Sequence, residues 1–170
     1  MTGRTRVTRA LLWLFVILLG IEIGAGLYEA RVIVPLWADS PPESAWLWQP
    51  HREANPRLAP DAGRRFWMFA TPSLGLAALV TLMAGRKAPG EQRRWLLASA
   101  VLVLVTVAST FAWFVPTLGE ILQGRARGLG GEELAAKARL WVALNWVRAA
   151  VYMVAWLAGL RALTDAPSTG

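Results

Sequence analysis

Residues 10–36 read ALLWLFVILLGIEIGAGLYEARVIVPL. As a helix, an apolar run of this length crosses the ~30 Å hydrocarbon layer of a bilayer, for which about 20 residues suffice. The same run carries Glu22, Glu29 and Arg31. Charged groups inside a span are costly, so they are expected to face other helices or a wet cavity. Three further runs follow, at 66–84, 95–118 and 140–163. A segment in hydrocarbon must satisfy its own backbone hydrogen bonds, and runs of this kind do so as helices. The expected fold is all-α: an integral membrane four-helix bundle forming one domain over residues 1–170.

Composition agrees. The chain is 55% hydrophobic and only 17% charged, with mean hydropathy +0.40, whereas soluble domains carry about a quarter charged residues. The absence of cysteine excludes disulfides and thiolate chemistry, and the single histidine, His51, lies in a polar loop. No metal site is therefore expected. Ten tryptophans suit membrane–water interfaces, where the ring is apolar and its N–H stays wet. The net charge of +7 does not point to nucleic acid, because the basic residues form short clusters between spans rather than one patch. Arg4, Arg6 and Arg9 ahead of an apolar run, with small residues at Gly24-Ala25-Gly26, imitate a signal peptide. Apolar character resumes through Val32 to Pro35, too far for a cleaved leader, and the segment is expected to remain.

Charge also orients the chain. The N-terminus is purely basic, and the loop between spans two and three has Arg86, Lys87, Arg93 and Arg94 against Glu91. The other connections are mixed, with Asp39, Glu43, Glu53 and Asp61 in one and Glu120, Glu132 and Glu133 in the other. By the positive-inside rule both termini are cytoplasmic, and in a bacterial inner membrane the two longer loops are periplasmic. The first of them, proline-rich with Trp46 and Trp48, is expected to lie on the membrane surface as a lid without a regular helix. The second is expected to hold two short helical pieces separated by glycines at 124, 128, 130 and 131.

Polar residues inside the spans fall into stripes. Trp141, Asn145, Arg148 and Tyr152 follow one another at i, i+4, i+7 and i+11, and so do Thr106, Thr110, Trp113 and Thr117. Thr71 and Ser73 flank Pro72, whose missing N–H frees a carbonyl. On the first span Glu22 and Glu29 share a face, opposite the Gly20-x-x-x-Gly24 pair. That pair offers a close-approach surface for a second copy or a partner subunit. Glu29 lies about 10 Å below the outer end of its span, at the depth expected for Arg148. The two are expected to pair. Glu22, deeper and level with Tyr152, is a candidate base or proton donor.

Three stretches carry a resemblance: LLGIEIGAGLYEARVIVPLW at 18–37, TFAWFVPTL at 110–118 and WVALNWVRAAVYMVAWLAGL at 141–160. Together they resemble the anthrone-oxygenase-like four-helix membrane proteins, through all four helices in order. Pro116 matches the family's proline, and Asn145 and Arg148 match its Asn-x-x-Arg pair. Phe114 stands where the family places an asparagine, Thr117 near a second one, and Leu144 in place of a tryptophan. The resemblance implies oxidation of an anthrone to an anthraquinone by molecular oxygen, with no cofactor. It implies Glu29 or Glu22 as base and Arg148 with Asn145 as the holder of the enolate; a strong Glu29–Arg148 pair would make Glu29 the weaker base and Glu22 the better one. Trp113, Trp141 and Tyr152 would be flat walls, with Thr110 and Thr117 beside them. The expected partners are the lipid bilayer and a flat hydrophobic aromatic molecule. The rival reading is a non-enzymatic bundle that binds a small hydrophobic molecule or lipid, or docks a subunit through Gly20 and Gly24. A transporter is a weaker fit, since no inverted repeat is present.

Overall fold

The computed structural model describes residues 3–54, 62–88, 90–124 and 126–164, with side chains except at 3–8, 49–53 and 62. Asp61 and the rest of 55–61 lie outside the described residues, as do the side chains of Arg4, Arg6, His51 and Glu53. The elements run α1 (Gly3–Tyr28), a first π-turn (Glu29–Ile33), α2 (Pro35–Ala38), α3 (Glu43–Ala54), α4 (Ala62–Gly85) and α5 (Gly90–Ser109). A second π-turn (Thr110–Phe114), α6 (Val115–Leu122) and α7 (Gly131–Thr164) complete the chain. Among the described residues there is no strand. Four helical stretches are long and apolar enough to cross a membrane: Arg9–Ile33, Gly63–Gly85, Gly90–Leu122 and Gly131–Thr164. This all-α, four-span makeup is the one read from the hydropathy.

Two expectations for the connections change. Residues of the first loop form a regular helix, α3, despite Pro50 inside it. Pro41 and Pro42 precede its first turn, where a missing N–H costs nothing, and Ala45, Trp46 and Trp48 give it an inner face that packs on the core. In the second loop, the expected second helical piece is the start of α7, one unbroken helix from Gly131. At 1.5 Å per residue α7 is about 50 Å long, well beyond a ~30 Å hydrocarbon layer.

The residues divide into two compact units. The first comprises Met1–Gly24, Phe69–Val107 and Ala150–Gly170. Its core gathers Phe15, Leu19, Leu74, Val103, Tyr152 and Ala155. On α1 the buried positions Leu12, Phe15, Leu19 and Glu22 recur every three or four residues, while Trp13, Leu14, Ile17 and Ile21 are exposed. A helix apolar on both faces needs an apolar solvent, which is the signature of a span. With lipid outside, apolar burial drives little helix association, so close packing and polar bonds carry it. The Ser99 hydroxyl donates to the Ala155 carbonyl at 2.7 Å, and the Trp156 indole N–H donates to the Val16 carbonyl at 3.2 Å. These bonds tie α5 and α1 to α7. Gly20 faces Trp156 of its own chain, 3.4 Å from where a Cβ would stand, whereas a Cβ at Gly24 would meet nothing within 4 Å.

The second unit comprises Ala25–Met68 and Ala108–Ala149. Its core is aromatic: Val34, Trp37, Ala45, Phe114, Ile121, Leu134, Ala138 and Trp141. The Ser44 hydroxyl donates to the Trp37 carbonyl at 2.8 Å, joining α3 to α2. Lys137 reaches Glu120 of α6 at 3.0 Å and Glu133 of its own helix at 3.3 Å. All three are part-exposed, so this cluster adds little to stability.

Gly159 sits at a close approach of two other helices in the first unit, where a Cβ would lie 3.1 Å from Val16 and 3.3 Å from the Ser99 hydroxyl. Gly159→Ile is expected to destabilise the protein by about 1–3 kcal/mol through overpacking. Gly24→Ile, in open space, is expected to change stability far less. Reversible unfolding in mixed micelles checks the difference.

Candidate functional site

Two prolines generate the local geometry. Pro35 and Pro116 each follow a π-turn at the same spacing, with the turn's first residue six positions earlier. A proline within a helix has no N–H to donate, and its ring collides with the carbonyl four residues back. Opening the preceding turn to an i→i+5 bond relieves the clash. The bonds are seen directly: the Val34 N–H donates to the Glu29 carbonyl at 2.9 Å, and the Val115 N–H donates to the Thr110 carbonyl. Glu29 and Thr110 thus occupy equivalent positions, each opening a π-turn.

The second π-turn presents its side chains to α7. The Arg148 guanidinium donates through Nη1 to the Thr110 hydroxyl at 3.2 Å. Its central carbon lies 4.5 Å from the centre of the Phe114 ring. The Trp141 indole N–H donates to the Phe114 carbonyl at 3.0 Å. Edge-to-face contacts extend the cluster, with centroids 5.3 Å apart for Trp37–Trp141, 5.8 Å for Phe114–Trp141 and 4.8 Å for Trp113–Phe114. Asn145, one turn from both Trp141 and Arg148 on α7, is buried. Arg31 extends over the ring of Trp146, 5.2 Å from its centre.

Seven of the nine candidate side chains therefore belong to the second unit: Glu29, Thr110, Trp113, Thr117, Trp141, Asn145 and Arg148. Arg148 and Thr110 are in direct contact, and Trp141 joins them through Phe114. Glu29 and Thr117 are half-buried. Glu22 and Tyr152 belong to the first unit. There Glu22 is buried and accepts a 2.8 Å hydrogen bond from the Thr71 hydroxyl. Thr106, on the same predicted stripe as Thr110, donates to the Leu102 carbonyl of its own helix at 2.7 Å.

Two residues were missed as site candidates. The stripe through Thr106, Thr110 and Trp113 passes over Phe114, although Phe114 follows Thr110 at i+4 and shares its face. That spacing was the available signal. Thr71 was noticed only as a neighbour of Pro72, and its tie to Glu22 spans 49 positions of sequence. Among the described residues no group of three or more His, Cys, Asp or Glu side chains is arranged to hold a metal ion.

The profile of the family described as anthrone oxygenase matches residues 63–158, more than half of the chain. The chain belongs to the anthrone oxygenase family. Comparison with curated proteins and with solved structures gives no significant match. The anthrone oxygenase match takes in Thr71, Thr110, Phe114, Trp141, Asn145, Arg148 and Tyr152, and begins after Glu22, Glu29 and Arg31.

Glu22 and Thr71 are 6% and 3% exposed. Removing a hydrogen-bond donor from a buried carboxyl costs about 1–3 kcal/mol. Thr71→Val, which keeps the shape, is expected to destabilise the chain by that amount. Thr71→Ser is expected to restore it in the same unfolding assay.

Proposed function

We propose that the chain is an anthrone-type oxygenase whose reacting centre is built on Arg148 in the second unit. The observation that carries this reading is the guanidinium itself. It is half-buried, hydrogen-bonded to Thr110 and held over the Phe114 ring beside tryptophans, in a chain of the anthrone oxygenase family. Flat apolar rings suit a fused tricyclic ligand, and a positioned cation suits the oxygen on which charge develops when such a ketone loses a proton.

In this reading Glu29 removes a proton from the methylene carbon of the anthrone, and the charge collects on the ketone oxygen. Arg148, with Asn145 beside it, holds that oxyanion by charge and hydrogen bonds. Dioxygen takes up the electron pair and bonds to the carbanionic carbon. The peroxide receives the proton held by Glu29. Loss of the second C–H proton then breaks the O–O bond, leaving a second carbonyl and one water. One dioxygen is consumed per anthraquinone, with no external reductant. Glu22 takes no part in the step.

Oxygen uptake in nanodiscs with a panel of anthrones, corrected for spontaneous oxidation, tests the proposal. The expected result is uptake matched one to one by anthraquinone. Removing a stabiliser of developing charge costs about 10²–10³-fold, and Arg148→Ala is expected to lose that much. Glu29→Gln is expected to abolish turnover, whereas Glu22→Gln retains it. No uptake with any anthrone retires the oxygenase reading and leaves a bundle that binds a hydrophobic molecule.

The proposal includes an orientation in a bacterial inner membrane. Arg86, Lys87, Arg93 and Arg94 are exposed at the α4–α5 connection, which supports a cytoplasmic position for that turn and both termini. The chain has no cysteine, so single cysteines report cleanly. In spheroplasts a membrane-impermeant maleimide is expected to label Glu43→Cys at once and Lys87→Cys only after lysis. The opposite pattern inverts the topology.

A further inference from the structure

Phe114 has no chemistry of its own in the reaction above, yet it touches the groups that do. It is 6% exposed. Its ring face carries the Arg148 guanidinium at 4.5 Å, its carbonyl accepts the Trp141 indole N–H at 3.0 Å, and Trp113 meets its ring at 4.8 Å. The ring is held from several sides and shares a face with Thr110, four residues earlier.

We infer that Phe114 is a positioning residue that fixes the plane of the Arg148 guanidinium, so that an in-plane N–H edge rather than the flat face of the cation meets the ligand. The five N–H donors of arginine lie in the guanidinium plane. Its two faces are the surfaces on which aromatic rings stack. The Arg148 central carbon stands over the Phe114 ring, 4.5 Å from its centre, which suits a contact through one of those faces, and Thr110 takes a donor at Nη1. A guanidinium held in this way recognises an oxygen that arrives in its own plane, as the ketone or enolate oxygen of a flat polycyclic molecule does at the molecule's rim. It disfavours a ligand that would lie flat on the cation. The consequence for turnover rests on the anthrone reading given above, whereas the positioning itself does not.

The test uses the full chain in nanodiscs with isotopically labelled arginine. A guanidinium over a ring face has its Nε–H resonance displaced upfield by the ring current. The Arg148 signal is assigned by its disappearance in Arg148→Lys. The displaced signal is expected in the parent protein and in Phe114→Tyr, and at an ordinary position in Phe114→Leu. Incorporating pentafluorophenylalanine at 114 keeps the shape of the ring and reverses the polarity of its face, so it covers the case in which the leucine variant fails to fold. A cation–π contact corresponds to about two- to thirtyfold in an equilibrium. The leucine and pentafluoro variants are expected to lose that factor in kcat with KM little changed, and tyrosine to restore it.

An unmoved Arg148 resonance in both altered variants overturns the inference. So does a resonance that moves while kcat stays at the parent value. If the parent shows no uptake with any anthrone but the resonance behaves as expected, the reaction is lost and the positioning stands.

Discussion

Everything in this chain answers to one constraint: in hydrocarbon a backbone carbonyl or N–H has no water to turn to. Helices meet it over most of the four spans. Pro35 and Pro116 break it locally, and the chain responds with two π-turns at the same spacing. Next to the second turn, Thr110 and Phe114 share a face and meet Arg148 of α7.

A second consequence of that medium appears in the packing. Lipid is as apolar as leucine, so burying apolar surface separates inside from outside only weakly. The large residues Ile17, Leu76 and Val105 are exposed. What distinguishes the buried seams is size and polarity. Beside the buried Phe15, Leu19 and Leu74, Gly159 gives a close helix approach, and the hydroxyls of Ser99, Thr71 and Thr110 bond to a carbonyl, a carboxyl and a guanidinium. Arg148 and Glu22 each have a hydroxyl partner from another helix.

Hydropathy made the four spans legible, and the seam of α7 was legible from the spacing of Trp141, Asn145, Arg148 and Tyr152. These signals are local and periodic. Three features were not legible, each for a physical reason. Helix α3 hides behind Pro41, Pro42 and Pro50, whose helix-breaking reputation fails at a helix start and yields to an aromatic inner face. The contact of Phe114 with Arg148 is a matter of tertiary packing, since Phe114 and Trp113 both share a face with Thr110, at i+4 and i+3. The Glu22–Thr71 bond joins residues 49 positions apart and is a matter of tertiary register alone. Family membership covers α4 onward, so what Glu22 and Glu29 do is argued from chemistry.

The π-turns also bear on how such chains diverge. Each holds one residue more than an α-helical turn needs, so each is a place where a single-codon deletion leaves the helix whole. Losing one residue between 110 and 114 would rewind that segment to ordinary pitch and bring a different neighbour against the guanidinium of α7. One short indel would then exchange the lining of the centre with no point substitution at any lining residue.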